Sequence, residues 1–195
     1  MIRLLIADDE KLEREALAEL VQRRFEREVV LEMAENGRKA ADTAVLWNAD
    51  LILMDIEMPG MSGLDAARAV LAQRPSCRVI FVTAYSLFQY AHEAVHLGAC
   101  DYLLKPVDPD ELEASVRRAI RQIQTERKLE ELAAAHPTVK VGKVNTDENL
   151  TLAMARKIDA IPALLLFKNG QEVSRSVGYR PAAELEAWLR ENGAI

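Results

Sequence analysis

Two rhythms of apolar and polar residues alternate along the first hundred positions. Residues 2–7 (IRLLIA), 29–34 (VVLEMA), 51–55 (LILMD), 78–83 (RVIFVT) and 99–104 (ACDYLL) are short, mostly apolar runs that read as strands. Between them, residues 10–25 place apolar side chains at 12, 16, 17, 20, 21 and 25, the spacing of a helix face. Residues 38–47, 64–73 and 87–97 read as three further helices. Asn36-Gly37, Pro59-Gly60, Gly63 and Pro75 punctuate the pattern, and Gly98 predicts a helix C-cap. Alternation of this kind predicts a parallel sheet with helices on both faces, because each crossover is right-handed and covers one face.

The rhythm changes after residue 108. A helix without a breaker is predicted from about 108 to 136, about 28 residues or roughly 40 Å long. Its stripe Leu112, Val116, Ala119, Ile120, Ile123 suits packing on the sheet. The polar QTERK follows, and a new stripe of Leu129, Leu132 and Ala133 starts on another face. A stripe that ends and restarts elsewhere predicts a helix leaving one core for a second, with the boundary near 124–128. The predicted domains are therefore 1–125 and 126–195. The cationic run Arg117, Arg118, Arg121, Arg127, Lys128 is expected to be a solvated face. Beyond Pro137 the pattern predicts a strand at 139–144, a helix at 149–157, strands at 163–167 and 172–177 and a helix at 181–191. Asn169-Gly170 between the last two strands is a strong hairpin signal.

Composition narrows the function classes. Half the residues are hydrophobic and 29% are charged, as in ordinary globular proteins. No apolar run approaches the roughly 20 residues of a bilayer span, and the acids following residue 7 are unlike a signal peptide, so a cytoplasmic location is expected. Residues 1–136 carry 17 Lys+Arg against 24 Asp+Glu, net −7, and residues 137–195 carry 8 against 7, net +1. Neither part is basic enough to predict direct nucleic-acid binding, and no membrane partner is expected. Cys77 and Cys100 form no C-x-x-C pair and are expected to be buried thiols.

The candidate chemistry lies at the strand ends. Four of the five predicted strands finish in Asp8-Asp9, Asp55, Thr83 and Lys105, which a parallel sheet gathers on its C-terminal edge, where ligands bind in open α/β sheets. Three carboxylates at close range repel one another and invite a hard divalent cation, here Mg²⁺. The ion leaves Asp55 ionised as a nucleophile toward phosphorus, while the Lys105 ammonium offsets charge on the phosphoryl oxygens and the Thr83 hydroxyl donates to one of them.

On IADDE at 6–10, MDIEMPGMSGLD at 54–65, VTAY at 82–85 and DYLLKPV at 101–107, the chain resembles the receiver domain of bacterial two-component response regulators over about residues 1–125. The resemblance implies a flavodoxin-like, doubly wound five-stranded sheet of order 2-1-3-4-5. It implies that Asp55 is the phosphoacceptor, that Asp9 and Asp55 bind Mg²⁺ directly, that Asp8 acts through water and that the backbone carbonyl of Glu57 is a further ligand. Thr83 and Tyr102 are implied as the switch pair, Lys105-Pro106 as a cis peptide, and a sensor histidine kinase as the partner. FQYAHEAVHLGACDYLLKPV further resembles receivers carrying an AraC-type DNA-binding domain, which would follow residue 125, where this chain has another sequence. Residues 128–189, KLEELAAAHPTVKVGKVNTDENLTLAMARKIDAIPALLLFKNGQEVSRSVGYRPAAELEAWL, resemble the C-terminal part of thioredoxin, which implies a partial thioredoxin-like α/β unit with a cis Ile161-Pro162. The catalytic Cys-Gly-Pro-Cys of that family has no counterpart, so thiol oxidoreductase activity is not expected. In thioredoxin a further strand lies between those matching 139–144 and 163–167. These two strands are therefore expected either to pair directly in a three-stranded sheet or to borrow a strand from a second chain.

The function expected is a phosphorelay switch in which Mg²⁺-dependent phosphoryl transfer to Asp55 repositions Thr83 and Tyr102. A homodimer through the fourth helix, fifth strand and fifth helix, or through the tail strands, is a further expectation. Enzymatic activity would be at most self-phosphorylation and autodephosphorylation at Asp55. The alternatives are an aspartyl-phosphate phosphatase using Asp55 and Glu57 as a D-x-E motif, and an engineered or rearranged chimeric scaffold without signalling output. His92-Glu93-Ala94-Val95-His96 matches the H-E-x-x-H zinc-protease signature, but no third ligand follows at a familiar spacing, and solvated or interfacial histidines are the expected account.

Overall fold

The computed structural model describes residues 1–84, 88–146, 149–178 and 180–195. It divides into two compact units, Met1–Ile120 and Arg121–Ile195. In the first, β1 (Ile2–Ala7), β2 (Val29–Ala34), β3 (Leu51–Met54), β4 (Arg78–Thr83) and β5 (Asp101–Leu104) form a parallel sheet of order β2-β1-β3-β4-β5. The connecting helices are α1 (Lys11–Phe25), α2 (Gly37–Leu46), α3 (Gly63–Gln73) and α4 (Phe88–His96), with α5 (Pro109–Ala135) following β5. The predicted start of α4 at Leu87 lies outside the described residues. β5 begins at Asp101, two residues later than predicted.

The register explains why the strands are apolar on both faces. Leu5, Ala7, Ile52, Met54, Val79 and Phe81 pack with Ala40, Ala44, Ala66 and Val70 of α2 and α3. Their neighbours Leu4, Ile6, Leu53, Ile80 and Val82 are equally buried and, by strand alternation, point to the opposite face. There α1 meets the start of α5: the Arg117 guanidinium lies 5.0 Å over the Phe25 ring, and Arg24 pairs with Glu113 at 2.8 Å. Each large apolar side chain so buried contributes roughly 1.5–3 kcal/mol. The cationic run on α5 is thus partly engaged: Arg117 also pairs with Glu113 at 2.9 Å, and Arg118 binds Asp101.

Local caps place the helices that frame the strand ends. Asn36 caps α2 by accepting from the Lys39 amide at 2.9 Å, and Ser62 caps α3 by accepting from the Asp65 amide at 3.1 Å. Gly98, at φ +73°, ends α4 as expected. Cys77 is buried, whereas Cys100 is only partly so.

In the second unit, α6 (Leu150–Ala155) precedes β6 (Ala163–Lys168) and β7 (Gln171–Val177), an antiparallel pair, and α7 (Ala182–Glu191) closes the chain. Asn169 at φ +50° and Gly170 at φ +80° make the tight turn the sequence predicted. Leu132 of α5 and Leu185, Trp188 and Leu189 of α7 form the core, against Leu164 and Leu166 of β6. The Trp188 indole satisfies its N–H by donating to Ser174 Oγ at 2.9 Å. One expectation is overturned. Residues 139–144 are not a strand, and among the described residues β6 pairs only with β7, so the three-stranded sheet does not form. A strand requires a neighbour for its backbone. This segment has Gly142 at its centre, and its Lys143 binds Glu126 and Glu130 of α5 at 3.1 and 2.8 Å.

Candidate active site

The C-terminal ends of β1, β3, β4 and β5 deliver the predicted residues to one edge. Asp8, one residue past β1, is fully buried, Asp55, one residue past β3, is nearly so, and Asp9 is exposed. Each offers a carboxylate oxygen, and these oxygens lie within 4.8 Å of one another. Lys105, past β5, brings its ammonium to 2.7 Å from Asp8 Oδ2, 3.3 Å from Asp55 Oδ2 and 3.5 Å from Glu13. Thr83, the last residue of β4, is completely buried, and its carbonyl accepts the Lys105 amide at 2.9 Å, which fixes the root of the lysine. The Lys105–Pro106 and Ile161–Pro162 peptides are both cis.

The sequence explains how Asp55 is held. Its amide donates to the Ala7 carbonyl at 2.8 Å, continuing the β1–β3 ladder by one residue, and its Oδ1 accepts the Ile56 amide at 2.7 Å. The loop then returns so that the Gly63 amide donates to the Ile56 carbonyl at 2.8 Å. A Cβ at position 63 would stand 1.8 Å from the Asp55 carbonyl oxygen. Glycine is required there for close approach, a role its sequence position as a strand stop did not reveal. Arg14 of α1 donates to the Asp8 carbonyl, and Tyr90 of α4 donates to the Glu57 carboxylate at 2.8 Å. Neither contact had a signal in the sequence: Arg14 folds back six residues across the turn from β1 into α1, and Tyr90 reaches a loop 33 residues earlier in the chain, and no spacing rule covers either. Tyr85 of the VTAY motif lies outside the described residues. Tyr102 is partly buried on β5.

Electrostatics distinguish the groups. Burial pushes the Asp55 carboxyl above its ordinary range. The Lys105 charge opposes this, the Asp8 charge adds to it, and the Ile56 amide and Lys105 hydrogen bonds oppose it. Burial acts to lower the Lys105 ammonium, but the Asp8 hydrogen bond and the charges of Asp55, Asp8 and Glu13 outweigh it, and the net shift is upward. Lys105 therefore remains an ammonium between two carboxylates. The Tyr102 phenol is raised by burial and then by the Asp55 charge, a sign that it lies within electrostatic range of the acid.

The donor set fits Mg²⁺. All three side chains present hard oxygens, and one nearby ammonium does not balance three carboxylates. An ion with bonds of about 2.0–2.1 Å holds cis and trans oxygens about 2.9–4.2 Å apart. A cluster already within 4.8 Å reaches that span by small side-chain rotations. Beside it, Asp9, Glu57, Met58, Ser62, Asp65, Tyr90 and Glu93 line an open depression of roughly 650 Å³.

Comparison with known proteins agrees with this geometry. Residues 4–117 match the response regulator receiver domain family. The chain belongs to that family. Residues 121–191 match the thioredoxin family, in a stretch that contains no cysteine. Among solved structures, the receiver domain of AraT, a response regulator from Geobacillus stearothermophilus, is 37% identical; the match covers 65% of this chain and 98% of that one, with a TM-score of 0.59. The chemotaxis protein CheY4 of Vibrio cholerae is 26% identical over 61% of this chain and 98% of that one, at a TM-score of 0.55. The transcriptional regulatory protein LnrK of Bacillus subtilis is 35% identical over 60% of this chain and 52% of its own length. The Bacillus subtilis protein YesN, an uncharacterized transcriptional regulatory protein, is 30% identical over 64% and 34% respectively. The chain thus spans about a third to a half of the length of these curated relatives. The first unit is a receiver domain of the kind used in phosphorylation-dependent two-component signalling. No helix among the described residues is long and apolar enough to cross a membrane.

Proposed function

We propose that the receiver domain accepts a phosphoryl group on Asp55 from a partner histidine kinase, with Mg²⁺ held by Asp9 and Asp55, through water by Asp8, and by the Glu57 backbone carbonyl. The supporting observation is the meeting of Asp8, Asp9 and Asp55 within 4.8 Å, with the Lys105 ammonium between two of them. When bound, the ion neutralises charge on the phosphoryl oxygens and keeps Asp55 ionised. An Asp55 carboxylate oxygen attacks phosphorus while the bond from phosphorus to the kinase histidine breaks. Lys105 stays protonated beside the site and stabilises charge on the transferring group. Thr83 and Tyr102 are the pair that answers the new charge, Thr83 by its hydroxyl and Tyr102 by moving on β5. Phe88 and Val95 of α4 and Leu104 of β5 are 81%, 61% and 44% exposed. They are the apolar residues through which that response would alter self-association. The helix α5 contributes to both units and is the covalent route from the receiver domain to residues 126–195.

The phosphatase alternative is less well supported, because the Glu57 carboxylate is engaged by Tyr90. The test is acetyl-phosphate labelling with and without Mg²⁺, read by intact mass. One added phosphoryl group is expected in the native chain and none in Asp55→Asn of unchanged circular dichroism. Labelling of Asp55→Asn overturns the proposal.

A further inference from the structure

The H-E-x-x-H stretch on α4 has no part in the acid cluster, and its geometry points to a different ligand. His92 and His96 are exposed and stand four residues apart on one helix face, with ring centroids 4.2 Å apart at an interplanar angle of 74°. Their Nε2 atoms are 3.0 Å apart. Two imidazole nitrogens at that distance share either a proton or a cation. The 3.0 Å contact is a hydrogen bond between the rings, and a small rotation of each about its side-chain bonds would turn both Nε2 lone pairs toward one ion beside the helix. Imidazole donors in tetragonal geometry suit Cu²⁺ and Ni²⁺, and Cu²⁺ stands highest in the affinity order for such ligands.

We propose that His92 and His96 form a two-ligand chelate for a divalent transition-metal ion, Cu²⁺ foremost and Ni²⁺ next, on the exposed face of α4. Water completes the coordination. Among the described residues, the groups of three or more metal-ligating side chains comprise the acid cluster alone. The intervening Glu93 lies 3.6 Å from the Arg68 guanidinium and lines the depression next to Asp9 and Glu57, so it belongs to another surface. This is therefore a chelate and not a zinc-protease centre. Only helical α4 presents both nitrogens together, so the ion restrains the last turn of α4. Tyr90 and Glu93 of the same helix form one wall of the depression beside the acid cluster. The chelate is thus a place where metal occupancy stiffens that wall without touching Asp55.

The experiment titrates the full chain with Cu²⁺, Ni²⁺ and Zn²⁺ by calorimetry in excess Mg²⁺, which occupies the acid cluster, and records the Cu²⁺ paramagnetic resonance spectrum. The expected result is one Cu²⁺ per chain with nitrogen hyperfine structure, and affinity in the order Cu²⁺, Ni²⁺, Zn²⁺. Loss of a mere supporting partner costs metal sites roughly 10- to 100-fold in affinity, so His92→Ala and His96→Ala should each weaken Cu²⁺ at least that much. Both side chains are solvent-facing, so the variants should keep the native circular dichroism. His136→Ala should bind Cu²⁺ as the native chain does. Undiminished Cu²⁺ binding in the His92→Ala/His96→Ala variant overturns the proposal, as do absent nitrogen coupling and Zn²⁺ binding more tightly than Cu²⁺.

Discussion

Gly63→Ala isolates the link between backbone packing and the chemistry of Asp55. The added methyl carbon would meet the Asp55 carbonyl oxygen at 1.8 Å, the Asp55 carbonyl carbon at 2.8 Å and Met54 Cγ at 2.9 Å. The first two are backbone atoms at the end of a buried strand, so relief requires moving the Asp55 peptide or the start of α3 by about 1 Å. Overpacking of this kind costs about 1–3 kcal/mol, and a backbone clash belongs at the upper end. Alanine recovers at most about 1 kcal/mol of helix propensity, less in a first turn. A net loss of about 2–3 kcal/mol lowers Tm by roughly 4–12 °C in a chain of this size. Displacing a nucleophile by about 1 Å can cost 100-fold in rate, so acetyl-phosphate labelling should slow by a comparable factor. Gly60→Ala is the control. At φ +81° its Cβ meets nothing within 4 Å, so it carries only the left-handed backbone penalty of about 1–2 kcal/mol and leaves the labelling rate nearly unchanged. Thermal denaturation and single-turnover labelling of both variants decide the matter. A Gly63→Ala variant with native Tm and native labelling rate would refute the reasoning.

Three other outcomes are expected. Lys105→Met removes the ammonium between two buried carboxylates and should destabilise the receiver domain by about 3 kcal/mol in urea without Mg²⁺, with part of the loss restored by Mg²⁺; equal loss in both conditions contradicts the pairing. Burial pushes the Cys77 thiol from 9.0 up to about 12, so Ellman's reagent at pH 8 should modify the partly exposed Cys100 well before Cys77. Because the folded value is the higher one, the Cys77 contribution to stability is complete below pH 9.0 and is lost as pH rises toward about 12, with a slope of at most about 1.4 kcal/mol per unit; Cys77→Ala should flatten that alkaline limb. Trp188→Ala empties the core of the second unit at a cost of about 3–5 kcal/mol and should unfold residues 121–195 while Asp55 labelling persists, as followed by proteolysis and intact mass.

The parallel α/β unit, the order of its elements along the chain and the residues at the C-terminal edge of its sheet were legible in the sequence alone. Runs such as LILM and RVIFVT have only one stable place, a strand buried on both faces, and the polar residues that end them then fall on one edge. The β6–β7 hairpin was legible as well, because Asn169-Gly170 supplies the backbone twist that the turn needs. What tertiary structure decided depends on distance in space. Residues 139–144 have strand-like composition but, among the described residues, no neighbouring strand, and the ion pairs of Lys143 hold them beside α5 instead. The need for glycine at 63 arises from a carbonyl eight residues earlier, which only the returning loop brings within reach. The bond from Tyr90 to Glu57 depends likewise on where α4 lies, whereas the approach of His92 to His96 is local to that helix. Periodicity predicts which face a residue occupies; which atoms meet there is settled by the packing of elements remote in the chain.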